Sequence, residues 1–544
     1  MTSPADDQRS VCASEGAVTD ITIASPASRT LTHFLIFFSH CIRSFQSIGY
    51  HLSPLISYTH CAQYQGRHVR FRFSCANRSS DRSEKGFRMT QALLIENGVI
   101  VTMDARRRIF SRGHVLVEDG RIVTAGDGAA PATDQKVARI DASGMVVMPG
   151  LVDTHAHAGH MLTKGLGDDS EAWMTIAGRI YAEASDTEFW AAEATLSALE
   201  RIKCGTTTAA LLFGGGPDIM RTEAPGAARA HLAAIAEMGV REILAVGPNR
   251  PTSSHVYRDH AYVPYVEITI SPETQLAVCA EIIDDWAGRD GRVRIAVSLP
   301  VFTRRELDEQ TVYNLSRNAR DLARAKNVLF IQDGHRDGSI AANAERLDLF
   351  DEHSLLAHCI ELTEADIAAL KRSHAKVAHN PSALMSVSGR CPATELMERG
   401  VTVSLGTDAA APDRSFDMFR NMFQAHRYHA RHFRNDAVLP PMQLLEMATI
   451  EGARALSMEN EIGSLEPGKR ADIILVNMRQ PHLWPPAHPA QRLARFANGA
   501  DVDTTIVDGR VLMRGRRLVD HDEDAILDRA EGAFHLMMKR AGLA

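Results

Sequence analysis

Within Asp153-Thr154-His155-Ala156-His157 two imidazoles stand two residues apart, a spacing that puts both side chains on one face of an extended chain. An isolated pair of this kind can be a satisfied polar contact. Three more short apolar runs end the same way, in Leu356-Ala357-His358, Val377-Ala378-His379-Asn380-Pro381 and Leu405-Gly406-Thr407-Asp408. Imidazole nitrogens and a carboxylate suit one divalent ion, Zn first and Fe as the alternative, with a coordination position left for water. Such an ion acidifies water and polarises the atom that the water attacks.

Side chains so far apart in sequence must be brought together by a repeating frame. Apolar, β-prone runs lie at 145–154, 206–213, 241–246, 293–299, 328–332, 354–358, 376–379 and 401–406, and helix-period stretches at 187–203, 272–286, 305–325 and 364–372 fall between several of them. Strands that are apolar throughout are buried on both faces. Eight alternating units predict an α/β fold, a TIM (β/α)8 barrel over 148–458, whose active site sits where the strands end. Flanking it, runs at 92–95, 99–103, 114–118 and 121–125 are punctuated by Asn97-Gly98 and Asp119-Gly120, and the idiom returns at 471–477 and 502–513 with Asp508-Gly509. Such dipeptides are hairpin signals. They predict a small antiparallel sheet, a β-sandwich domain assembled from 89–147 and 459–544.

Residues 1–88 differ in composition, with nine Arg and one Lys against six acids, four of the eight Cys, and no sustained period. A disordered or spurious extension is expected there, or else a targeting or docking segment, with Met89 as the start of the folded chain. Over all 544 residues, 45% are hydrophobic and 23% charged, and the net charge is −7; this is a globular composition without the basic footprint of a nucleic-acid binder. Phe34-Leu35-Ile36-Phe37-Phe38 is far short of the ~20 residues of a membrane helix. The acids before it fit no secretory signal. A cytoplasmic protein with no nucleic-acid or membrane partner is expected, and no CxxC pair supports a cysteine metal site.

Together, 148–157, 356–359, 377–382, 405–408 and the late Gly463-Ser464-Leu465-Glu466-Pro467-Gly468-Lys469-Arg470-Ala471-Asp472 resemble the amidohydrolase superfamily, in the branch of S-adenosylhomocysteine/methylthioadenosine deaminases, guanine-type deaminases and triazine chlorohydrolases. The resemblance covers the chain from Met89 onward. It implies one divalent metal held by His155, His157, a group on the fifth strand, His358 and Asp408, with Asp408 also taking the proton of the attacking water and His379 steering that water. It further implies Glu183 and Trp173 as substrate-binding residues, a small heterocyclic substrate and a homodimer. The fourth strand, 293–302, has no Lys, whereas binuclear members carry a carboxylated Lys there, so a mononuclear site follows. Pro300 is followed by Val301-Phe302 rather than by the His of adenosine-type deaminases, which counts against an S-adenosylhomocysteine substrate. On the fifth strand the family has His-x-x-Glu, a ligand and a proton shuttle; this chain reads Gln332-Asp333-Gly334-His335. Either Gln332 replaces the ligand and His335 the Glu, or His335 is the ligand. Hydrolytic deamination is expected first, hydrolysis of another carbon–heteroatom bond second, and a non-catalytic scaffold third. The basic stretch from His426 to Arg434 is expected to be a solvated helix face or a dimer rim.

Overall fold

The structure, a computed structural model, describes residues 92–544 except 133–136, 168, 216–218, 253–254 and 384, together with two short strands before them. Those two, Asp20–Ile23 and Val69–Arg72, form an antiparallel ribbon within a separate unit, 1–88. The expected disorder of that segment otherwise lies outside the described residues.

In the main unit eight parallel strands follow one another in sequence order. They are β1 (Leu151–Ala158), β2 (Thr206–Phe213), β3 (Arg241–Val246), β4 (Val293–Ser298), β5 (Phe330–Gln332), β6 (Ser354–Ala357), β7 (Lys376–His379) and β8 (Val403–Leu405). The ring closes where β8 meets β1, through a bridge between Ala156 and Asp408 and through Thr154 Oγ1 donating to Leu405 O at 2.9 Å. Val152, Ala210, Leu212, Ile243, Ala245, Ala296, Ile331, Leu355, Ala357 and Ala378, drawn from β1 to β7, share one buried cluster. Pairs such as Ala210/Leu212 and Leu355/Ala357 contribute to it because every second residue faces the same way. A second cluster joins the other strand faces to the helices.

The helices obey local rules. Thr187–Cys204 starts on Asp186, whose side chain accepts from Phe189 N–H, and ends on Gly205 at φ 79°, the left-handed stop that glycine makes cheaply. Pro272–Trp286 opens with Ser271 as cap and Pro in its first turn. Glu364–Ser373 has a capping box between Thr363 and Asp366. The helix expected at 305–325 is Gln310–Lys326, preceded by a separate turn, Glu306–Asp308. An antiparallel hairpin, Val256–Asp259 with Val266–Thr269, interrupts the alternation after β3.

Three expectations change. The run at 145–154 is two strands: Met145–Pro149 pairs with Ile473–Asn477 in the terminal sheet, and β1 belongs to the barrel. The chain changes sheets at Gly150, where a Cβ would stand 2.1 Å from Thr207 Oγ1. Asn97-Gly98 makes no hairpin, because Leu93–Val101 runs through it as one strand with register shifts, Asn97 being at φ 67°; this is a bulge, the other use of a left-handed residue. The terminal sheet is mixed rather than antiparallel, since Leu93–Val101 runs parallel to both Ala138–Asp141 and Met145–Pro149. The hairpins at Asp119-Gly120 and Asp508-Gly509 are present. Their tips touch, and a Cβ on Gly509 would lie 2.9 Å from Gly120 Cα, which joins the N-terminal and C-terminal parts of that sheet. Among the described residues no helix is long and apolar enough to cross a membrane.

Candidate metal centre

His155 and His157 lie near the end of β1, His358 is the first residue beyond β6, and Asp408 lies three beyond β8. Their backbones are shaped for this. His358 has φ 68° and Asp408 φ 63°, left-handed conformations that cost a non-glycine residue free energy and that gather at functional sites. Asp408 N–H is held by His155 O at 2.8 Å, and His358 N–H by Ala378 O at 3.1 Å. Gly406 admits the crossing, since a Cβ there would meet Asn380 Oδ1 at 2.3 Å and His155 O at 2.8 Å. Register shifts between Asp153 and Ala156 let β1 bury Val152 in the barrel cluster and still aim both histidines into the mouth.

The donor atoms converge. His155 Nε2 is 3.6 Å and His157 Nε2 3.2 Å from Asp408 Oδ1. The fifth strand contributes Asp333, with Oδ1 2.9 Å from His358 Nε2 and 3.3 Å from His155 Nε2, and Oδ2 3.6 Å from His157 Nε2. His155, His157 and Asp333 form one candidate metal group, and His155, His358 and Asp408 another, sharing His155. Five donors around one ion at ~2.1 Å would be separated along their edges by roughly 3.0–3.6 Å. The observed separations match that spacing. His155 Nε2 and Asp333 Oδ1 are moreover buried without an aligned hydrogen bond. The donor set and its geometry fit a single divalent ion.

Ring packing sets the imidazoles, with His155 edge-on to His157 at 5.1 Å and to His358 at 5.3 Å between centroids. Burial opposes charge on His155, but the carboxylates of Asp333 and Asp408 outweigh it and push the imidazole up to about 10. Burial would raise the two carboxyls as well; the surrounding histidines instead hold both well below the usual carboxylate range. A divalent cation held there would face ionised carboxylates and would replace the proton that they keep on His155. Beneath them Asp153 accepts from Thr407 N–H at 3.0 Å and Thr407 Oγ1 at 2.5 Å, pinning the β8 loop to β1. Burial lifts its carboxyl to about 6 despite these donors.

The remaining expected site residues are distributed unevenly. His335 belongs to neither donor group, and Gln332 is turned toward it. Gln332 Nε2 donates to Pro300 O at 2.9 Å, and its Oε1 faces His335 Nε2 at 3.2 Å; His335 Nδ1 lies 3.0 Å from Ser339 Oγ. Both side chains are thereby committed to each other and to the scaffold, and burial pushes the His335 imidazole down to about 3. His379 is buried at the end of β7 with Nε2 3.2 Å from His429 Nε2. Burial, then the neighbouring His429 and His358, hold it well below the ordinary histidine range, as a neutral ring. Trp173 is buried, donates to Thr163 O at 3.0 Å and backs His160, which in turn stacks toward His157. Glu183 pairs with Arg258 at 2.7 Å beside a cavity of about 600 Å³ lined by Met174, Arg179 and Glu267; none of the donor side chains lines it.

Four residues escaped the sequence reading. Asp333 stands between the two expected residues, Gln332 and His335, as the one carboxylate of that turn. Arg414, held by Ala409 O and Ala411 O, reaches to 3.7 Å from Asp408 Oδ2, and no pattern in the sequence marks it. His160 is buried with both ring nitrogens unpartnered among the described residues. His429 is expected on a solvated helix face or a dimer rim, yet it belongs with Met422, Ala425 and His426 to the buried stripe of helix Met418–Phe433; of the basic stretch from His426 to Arg434, Arg427, Arg431, His432 and Arg434 are exposed. Helical periodicity within that stretch was the available signal.

Comparison with known proteins identifies the family and the fold. The model of the amidohydrolase family matches residues 146–512. The 5-methylthioadenosine/S-adenosylhomocysteine deaminase of Desulforudis audaxviator is 34% identical over 459 residues, spanning 81% of this chain and 97% of that protein. The 5'-deoxyadenosine deaminase of Methanosarcina acetivorans is 32% identical over 471 residues, spanning 82% and 99%. Among solved structures, a zinc-bound adenosine deaminase from Xanthomonas campestris superposes with TM-score 0.70 at 24% identity, covering 82% of this chain and 98% of its own. The zinc complex of atrazine chlorohydrolase from Arthrobacter aurescens TC1 gives 0.68 at 20%, covering 81% and 100%.

Proposed function

Because the chain belongs to the amidohydrolase family, we propose that it is a mononuclear, metal-dependent deaminase that replaces the amino group of a nitrogen heterocycle with oxygen. The convergence of His155, His157, His358 and Asp408 at the strand ends, each with a donor atom 2.9–3.6 Å from a donor of another of them or of Asp333, carries this reading. A divalent ion in that position, Zn before Fe, supplies Lewis acidity and lowers the pKa of water. The chain's own residues do the rest. Asp408, held ionised by its histidine neighbours, accepts the proton of the water as the carbon–oxygen bond forms, and returns a proton to the departing nitrogen as the carbon–nitrogen bond breaks, releasing ammonia. His379, neutral and fixed by His429, positions the water and stabilises charge at the attacked ring. Adenosine-type nucleosides, on which the relatives named above act by name, are the first substrates to test.

One observation favours a second reading. His335, which takes the position of the family's proton-shuttling Glu in the register that sets Gln332 on the ligand, has both ring nitrogens taken. A leaving group that departs without a proton, such as chloride from a triazine, needs no such shuttle. Metal-loaded protein incubated with adenosine, 5'-deoxyadenosine, methylthioadenosine, guanine, cytosine, aminopterins and chlorotriazines, with ammonia and chloride both measured, separates the two. Ammonia from a purine supports deamination, chloride alone supports the second reading, and neither product from any substrate contradicts both.

A further inference from the structure

The fifth strand is where the chain parts from the pattern it resembles, and what stands there is a carboxylate. Gln332 closes β5 with its amide turned to Pro300 O and His335. Asp333, the next residue, points the opposite way, as alternation along an extended chain requires. Gly334 follows at φ 97°, a conformation that glycine adopts freely. The chain turns there, so that His335 N–H meets Ala357 O at 3.2 Å and Asp333 remains at the mouth. Its Oδ1 approaches His358 Nε2 to 2.9 Å and His155 Nε2 to 3.3 Å, and is nevertheless buried without an aligned hydrogen bond. Two donors that approach without pointing at each other have the geometry of neighbours on a shared cation.

We propose that Asp333 is the metal ligand of the fifth strand, so that the centre has three imidazoles and two carboxylates in place of four imidazoles and one carboxylate. This rests on the single-ion reading above. Two consequences follow from the chemistry. The second carboxylate balances the charge of a divalent ion within the ligand shell. A hard oxygen donor in place of nitrogen also moves the preference of the site away from Zn and toward ions such as Mn or Fe, relative to an imidazole at the same place.

The test is competitive binding of Zn and Mn to ion-free wild type, Asp333→Asn and Asp333→His, read as ions retained per chain after equilibrium dialysis, with circular dichroism reporting the fold. Asp333→Asn should weaken both ions by more than the ~10–100-fold that even the outer partners of ligands contribute. Asp333→His should retain an ion and raise the preference for Zn over Mn by on the order of tenfold. Wild-type affinity for both ions in a folded Asp333→Asn would overturn the proposal and place Asp333 beside the ion as a proton-transfer group. Should Asp333→Asn not fold, an unchanged Zn-to-Mn preference in Asp333→His overturns it equally. A wild-type protein that retains no ion removes this proposal together with the proposed function, whereas one that retains an ion indifferent to residue 333 removes this proposal alone.

Discussion

The barrel buries charge at both ends, and the two ends use it differently. At the base Arg241, the first residue of β3, is fully buried and donates to Asp472 at 3.0 and 3.2 Å and to Asp508 at 2.9 Å, while Asp508 N–H returns to Asp472 Oδ1 at 2.9 Å. Burial works against its charge, but the two carboxylates more than offset this and raise the guanidinium above its ordinary value. Asp472 leads into the terminal sheet and its carbonyl accepts from Gly150 N–H, so this triad fastens sheet to barrel. At the mouth, imidazoles and carboxylates stand equally close with buried atoms left unpaired and two backbones in left-handed conformations. The charge buried at the base is satisfied within the scaffold, whereas the mouth gathers charged donors that the scaffold leaves unpaired.

Breaking the mouth should give the largest effect on activity and little loss of fold. His358→Ala is expected to abolish ion retention and lower turnover by at least the ~10²–10⁴-fold ascribed to a lost acid–base function, with the thermal midpoint of the ion-free protein lowered little or raised. A steep fall in that midpoint would show that the mouth is structural. At the base the pattern should invert. Arg241→Met strands the buried carboxylate of Asp472 and should cost about 3–5 kcal/mol in denaturant unfolding, with turnover per folded, ion-loaded molecule unchanged. Lost turnover at unchanged stability would erase the distinction between the ends.

His335 sharpens the comparison, because it lies beside the mouth yet is bonded like the base. Its folded-state value of about 3 lies below the ordinary 6.5, so the unfolded chain binds a proton between those values that the folded chain does not. Stability from this group is complete above pH ~6.5 and falls as pH drops toward ~3, by about 1.4 kcal/mol per pH unit. His335→Gln should flatten the acid limb of stability against pH by about one proton and leave the ion in place. Loss of the ion would return His335 to the ligand set. The smallest effect is expected at Trp173, where Trp173→Phe removes one hydrogen bond, to Thr163 O, worth about 1 kcal/mol, with turnover nearly intact.

Periodicity carried most of the frame. Apolar runs of strand length, buried on both faces, located seven of the eight barrel strands to within a few residues and ran the first together with a strand of the terminal sheet. Polar residues at their ends pointed to His155, His157, His358 and Asp408, whose donors the structure brings together. What misled was punctuation with two meanings. Asn97-Gly98 serves a bulge as readily as a turn, and Gly150 divides one apolar run between two sheets because only glycine fits against Thr207. On β5 the direction in which each side chain leaves the strand depends on where the strand stops, and a strand of three residues, Phe330–Gln332, gives too short a pattern to fix it. Arg414 and His429 arrive from a loop and a helix, and nothing local in the sequence ties either to the strand ends.

The proposed function requires a mouth built around one cation. Elemental analysis of the purified, dialysed wild-type chain tests this directly. One divalent ion per chain is the expected result; a folded chain that holds none after incubation with Zn, Fe or Mn, or that holds two, would contradict it.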